Sequence, residues 1–207
     1  MFPTTENDAC ELPQARIEFG GGLSLDGLTL DYQGHFLVLR SADGPDSLTV
    51  QGFDRIVPYL EIGRFDSACT RDVVAKGFDL VGGDEAEIIL GTNAVDRIRG
   101  KQGNDTLLGE DGDDTYTYEP GDGIDCIADS SGQNTVAFGG RIRPQSVAVA
   151  LDASSTKPIL YMRLLQNGIA SKQGMNILLD AGAGSHALQF LFPGGSTYTL
   201  NELQNVA

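Results

Sequence analysis

Glu87, Asp96, Asp105 and Asp114 follow one another at intervals of nine residues, each five places after a glycine (Gly82, Gly91, Gly100 and Gly109). Paired carboxylates can perform acid–base chemistry, but a fixed period that continues past one pair describes a structural repeat. Position eight of the same units holds Ile89, Ile98, Leu107 and Tyr116. A fifth copy follows an eleven-residue step from Asp114, as Gly121-Asp122-Gly123-Ile124-Asp125-Cys126-Ile127. A worn sixth reads Gly132-Gln133-Asn134-Thr135-Val136.

Nine residues divide into a six-residue turn and a three-residue strand whose middle side chain points inward. Two units then make one coil, with turns on opposite edges and two short parallel strands. Ile98, Leu107, Tyr116 and Ile127 fill the thin core between the two sheets. Gly at positions one and four (Gly100 and Gly103, Gly109 and Gly112, with Gly121 and Gly123 in the fifth copy) permits positive φ and aims carbonyls inward. Asp at position six adds carboxylate oxygens. Stacking sets Asp96 against Asp114 on one edge and Asp105 against Asp125 on the other. Glu87 with Asp105, and Asp114 with Asn134, form weaker outer pairs, while Asn104 and Asp113 stand where a second side chain helps. An all-oxygen cage with two carboxylates suits a large hard cation, above all Ca²⁺. Zn²⁺ wants His or thiolate, and between residues 82 and 134 there is no His and only Cys126.

The segment Gly100-Lys101-Gln102-Gly103-Asn104-Asp105-Thr106-Leu107-Leu108, continued by Gly109-Glu110-Asp111-Gly112-Asp113-Asp114-Thr115-Tyr116-Thr117, resembles the RTX calcium-binding nonapeptide of hemolysin-type proteins. The run from Asp113 to Asp125 resembles the usual last repeats of such arrays. The resemblance implies export from a bacterium by type I secretion, with an uncleaved C-terminal signal. The tail Tyr198–Ala207, nearly free of positive charge, is compatible with that signal and equally with a capping strand or helix. Units one and two depart from the motif: Glu85, Thr92 and Ala94 stand at glycine positions, and Ala86-Glu87 replaces the small polar residue and Asp. Two or three calcium ions are therefore expected rather than a long row.

Charge follows position. The chain carries 29 Asp and Glu against 14 Lys and Arg, a net −15, and between residues 82 and 134 thirteen acids face three bases. That segment alone holds −10 of the total. Without cations such turns repel one another, so metal binding is coupled to folding. The same charge repels phosphate backbones and argues against a nucleic-acid partner. No apolar run reaches the length of a membrane span. The unbroken register, with apolar residues at position eight, separates the array from an ordinary Gly/Asp-rich loop. His35 and His186 lie in opposite flanks without a nucleophile motif, so no catalytic site is expected. Cys10, Cys69 and Cys126 are far apart and odd in number, which points to reduced thiols.

The expected organisation is a polar leader at 1–14, a β-rich flank at 15–81 with a meander pattern, the repeats at 82–134, and a β-rich capping flank at 135–207. The expected fold class is all-β, a short parallel β-roll capped on both sides. The flanks echo each other weakly, Arg16-Ile17-Glu18-Phe19-Gly20-Gly21 against Thr135-Val136-Ala137-Phe138-Gly139-Gly140. The expected function is that of a calcium-binding module: loose in a low-calcium cytosol, folded outside the cell, and attached to the upstream part of a larger secreted protein. The alternative is an adhesin-like module in which calcium is purely structural.

Overall fold

The computed structural model describes residues 15–18, 28–33, 36–41, 47–51, 60–65, 71–73, 77–92, 94–129, 131–154, 157–179 and 188–206. The leader, the turns at 20–22 and 43–46, Cys10, Cys69, His35 and His186 lie outside them.

The repeat segment folds as the period demands. Strands β7 (Asp79–Val81), β8 (Ile88–Leu90), β9 (Arg97–Arg99), β10 (Thr106–Leu108), β11 (Thr115–Tyr118), β12 (Ile124–Ala128) and β13 (Thr135–Phe138) alternate between two sheets. β7, β9, β11 and β13 pair in parallel in one sheet, and β8, β10 and β12 do so in the other. The register is set by the period: Leu80, Ile98, Tyr116 and Val136 stand side by side in one sheet, and Ile89, Leu107 and Ile127 in the other. These two files face each other and are almost wholly buried. This is a parallel β-roll.

The parallel stacking continues beyond residue 134. After β13 come a 3-10 turn at Pro144–Ser146, then β14 (Val147–Asp152), β15 (Ile159–Gln166) and β16 (Ile169–Leu178), followed by β17 (Gln189–Phe192) and β18 (Ser196–Thr199). β16 adds in parallel to β12, and β17 in parallel to β13, so the files extend to Ile177 and Phe190. Antiparallel β15 and β14 then complete the sheet of β8, β10 and β12 (the first sheet), and antiparallel β18 completes that of β7, β9, β11 and β13 (the second). The helix α1 (Leu200–Gln204) closes this end with a capping box: Thr199 accepts from the Glu202 N–H, and Glu202 accepts from the Thr199 N–H at 2.8 Å. Leu203 is buried, so the tail packs into the fold.

Core thickness changes along the roll. A nine-residue unit buries one large side chain at position eight, and the first unit Leu90 as well, each contributing about 1.5–3 kcal/mol. Ordering its backbone costs about 1–2 kcal/mol for each residue. The repeats therefore cannot stand on apolar burial. The C-terminal end is better filled: Phe138 stacks on Phe192 at 4.7 Å between ring centroids, and Tyr118 and Tyr198 meet this pair edge-on. Phe192→Ala should cost about 3–5 kcal/mol with calcium present. Urea unfolding checks this, and a loss below about 1 kcal/mol would show that this cluster is not the anchor of the roll.

On the N-terminal side, β2 (Leu28–Gln33), β3 (Phe36–Ser41) and β4 (Ser47–Gln51) form the expected antiparallel meander. β1 (Ala15–Glu18) departs from it by pairing in parallel with β5 (Leu60–Phe65), which pairs antiparallel with β6 (Arg71–Val73). The whole meander is the crossover between β1 and β5. Local alternation cannot encode such a pairing, because both strands carry the same pattern whichever partner they take.

Candidate metal-binding turns

The coil places turns 82–87, 100–105 and 119–125 on one edge, and turns 91–96, 109–114 and 129–134 on the other. On each edge, position-six side chains bond to the position-six backbone of the preceding turn. Asp105 Oδ1 accepts from the Glu87 N–H at 2.8 Å, and Asp125 Oδ1 from the Asp105 N–H at 3.1 Å. On the other edge Asp96 Oδ1 accepts from the Phe78 N–H, Asp114 Oδ1 from the Asp96 N–H at 2.7 Å, and Asn134 Oδ1 from the Asp114 N–H at 2.8 Å. The structure thus brings together all four pairs expected from the spacing.

These side chains are not equivalent. Asp96 is saturated: its second oxygen accepts from the Thr92 N–H at 2.6 Å and from the Thr92 hydroxyl at 3.0 Å. Glu87 folds back to accept from the Gly83 N–H at 2.5 Å. In contrast, Asp105 Oδ2 and Asp114 Oδ2 are buried and have no hydrogen-bond partner. An orphaned buried carboxylate oxygen is costly and calls for a counter-charge. Burial is the main reason these acids hold protons unusually well. Asp105 is pushed up to about 6, Asp125 to about 7 and Asp114 to about 8, with the neighbouring carboxylates adding to the shift.

The glycines serve differently from the expectation. Positive φ occurs at position four, in Gly103 (139°) and Gly112 (130°), at position two, in Lys101 (67°) and Glu110 (72°), and at Gly121 (106°) and Gly123 (101°) of the fifth copy, but not at Gly82, Gly91, Gly100 or Gly109. Position one needs glycine for space. A Cβ at Gly100 would fall on the Asp105 carboxylate, and one at Gly109 on Asp114 Oδ2, Asp129 Oδ2 and the Tyr116 hydroxyl. Position-four backbones stack directly, Gly103 on Gly123 and Gly112 on Gly132, which leaves no room for a side chain on the upper residue.

Asn104 and Asp113 act as exposed struts between coils. Asn104 Oδ1 accepts from the Ile124 N–H at 2.9 Å, and Asp113 Oδ1 from the Gln133 N–H at 2.7 Å. Gly121 turns outward, where its N–H donates to Gln173 at 3.1 Å and β16 covers the last turn of its edge. On the other edge, Gln189 bonds to the Asn134 carbonyl as Thr135 bonds to that of Asp114, so Leu188 occupies the next position six and carries no ligand oxygen.

Three neighbours escape a reading by period. Tyr116 sends its hydroxyl out of the core to donate to Asp129, next to Asp114. A tyrosine where the other units have aliphatic residues was the available signal. Arg99 reaches across to Glu119 at 3.3 Å and Asp122 at 3.7 Å, bracing the turn at 119–122. Asp122 in turn accepts from the Glu119 N–H at 2.7 Å. Neither contact follows from the period, because both leave the position-six ladder.

Among the described residues no three Asp, Glu, His or Cys side chains converge on one point. A cation at these edges would therefore draw most of its ligands from turn carbonyls, with one or two carboxylates. That donor set is all oxygen and fits Ca²⁺. Cys126 is a free thiol on the outer side of β12. No helix among the described residues is long and apolar enough to cross a membrane.

Comparison with known families agrees with this geometry. Residues 81–116 and 90–125, in overlapping windows, match the RTX calcium-binding nonapeptide repeat (four copies). No curated protein matches the chain.

Proposed function

We propose that this array of RTX repeats folds on binding calcium and thereby stabilises a secreted bacterial protein of which the chain is part. The observation that carries the reading is the pair of buried, unpartnered carboxylate oxygens, Asp105 Oδ2 on one edge and Asp114 Oδ2 on the other. Asp105 and Asp114 would be the principal carboxylate ligands. Asp125 would assist the first, and the turn carbonyls of Gly100, Gly103, Gly109 and Gly112 would supply further oxygens. Asp96 and Glu87, whose oxygens already bond within their own turns, would contribute least. Calcium, when bound, supplies the positive charge that the stacked acids lack.

A calcium switch suits export. In a cytosol poor in calcium the acidic turns repel and the array stays open; at the millimolar calcium typical outside cells, weak extracellular-type sites fill. The thin core means that the metal decides whether the coil closes. The test is a calcium titration of the full chain followed by far-UV circular dichroism, with Mg²⁺ as control. A cooperative gain of β signal with Ca²⁺ alone supports the proposal. An unchanged spectrum after exhaustive chelation would end it.

A further inference from the structure

Sheet edges bare their unpaired N–H and C=O groups, and folded proteins normally blunt them with charge, proline, bulges or a cover. β18, the C-terminal edge of the second sheet, is polar (Ser196-Thr197-Tyr198-Thr199) and runs directly into α1. At the other end β2 lies against β7. β14, the C-terminal edge of the first sheet, has only one of these devices among the described residues, the charge of Asp152 at its last position. It reads Val147-Ala148-Val149-Ala150-Leu151-Asp152, pairs with β15 without a register break, and has no partner on its outer side among the described residues. Ala150, Leu151 and Asp152 are exposed, Leu151 to 45%.

We propose that β14 pairs with β14 of a second copy of this chain, antiparallel about a two-fold axis, so that two six-stranded sheets become one. A second copy fits for three reasons. An antiparallel strand edge is self-complementary under a two-fold rotation, because each strand offers the other the same alternation of donors and acceptors. The ends of β14 are oppositely charged: Arg141 and Arg143 precede it and Asp152 closes it, so the antiparallel pair sets the basic end of each copy against the acidic end of the other. The acidic turns are also remote. β15 and β16 separate β14 from β12, and three strand spacings amount to about 14 Å. This exceeds the screening length of about 8 Å at physiological salt. From residue 135 to 179 the chain carries five bases against the single acid Asp152, so none of the array's negative charge lies beside the pairing edge. The pairing is independent of the calcium reading, since no turn residue takes part in it.

Light scattering on the full chain with calcium present, over a dilution series, tests the proposal. The expected mass at the concentrated end is twice the 22.0 kDa of one chain. Ala150→Lys and Leu151→Lys, which place a charge on an already exposed edge, should return the single-chain mass with an unchanged circular dichroism spectrum. A single-chain mass throughout the series overturns the proposal, and so does a dimer that survives both substitutions. Hydrogen exchange on the unmutated chain keeps the test open if the variants misfold. Protection of the amides at 147–152 that rises with concentration supports pairing through β14, and exchange there that ignores concentration overturns it.

Discussion

Asp114→Asn should move the calcium response and the calcium-free stability in opposite directions. Asn keeps an Oδ1 that can accept from the Asp96 N–H, the contact Asp114 makes at 2.7 Å. The chain itself uses Asn at the same place one turn later, where Asn134 Oδ1 accepts from the Asp114 N–H and Nδ2 donates to the Ser131 carbonyl at 2.8 Å. The substitution thus preserves the ladder while removing a buried carboxyl whose Oδ2 has no partner and whose ionisation burial opposes. Without calcium the variant should be more stable by about 1–3 kcal/mol, the cost of an unsatisfied buried polar group. Calcium affinity should fall by about tenfold or more, the scale seen when a metal site loses supporting partners. Asp114→Ala removes the ladder bond as well, and should lose both calcium response and stability. Far-UV circular dichroism in chelator, which reads how much of the array is closed, and calcium titrations of the three proteins read the two effects separately. If Asp114→Asn lowers the β signal in chelator, Oδ2 has a stabilising role other than awaiting a cation.

The calcium-free chain should also become less stable as pH rises from about 5 to 8. The sign follows from linkage. Asp105, Asp125 and Asp114 titrate in the folded chain at about 6, 7 and 8. In the unfolded chain they titrate near the ordinary value of about 3.9. Between these limits the folded state holds more protons, so stability is greatest below the unfolded values and drains away as pH rises through the folded ones. With calcium present the ionised forms are the ligands, so binding should release protons and tighten as pH rises. The β signal in chelator at pH 5.5, 6.5 and 8 checks the first part, and calorimetry in two buffers of different ionisation enthalpy checks the second. Chelated stability that climbs from pH 5.5 to 8 would contradict the burial of these three acids.

Much of the roll was legible in the amino-acid sequence because a period is a global constraint written locally. Once Gly82, Gly91, Gly100 and Gly109 are aligned, position eight must point inward and position six must meet its equivalent in the next coil. The observed bonds of Asp105, Asp114, Asp125 and Asn134 follow that rule. Composition likewise located the charge that the turns must manage.

Tertiary structure decided what the period leaves open. Three turns that share the motif's carboxylate differ in need: Thr92 satisfies Asp96, while Asp105 and Asp114 each keep a bare oxygen, and only the packed geometry reveals which bonds are already made. The use of position-one glycines for space rather than for positive φ is a matter of atoms from another part of the coil. The continuation of both sheets through β16 and β17, across an intervening hairpin, follows no repeat, and neither does the parallel pairing of β1 with β5. Strands carry the same alternation whoever their neighbour is, so the choice among distant partners falls to long-range packing. In this chain the period determined the coil and its acidic turns, and the fold alone determined which carboxylates were left unsatisfied and where the sheets end.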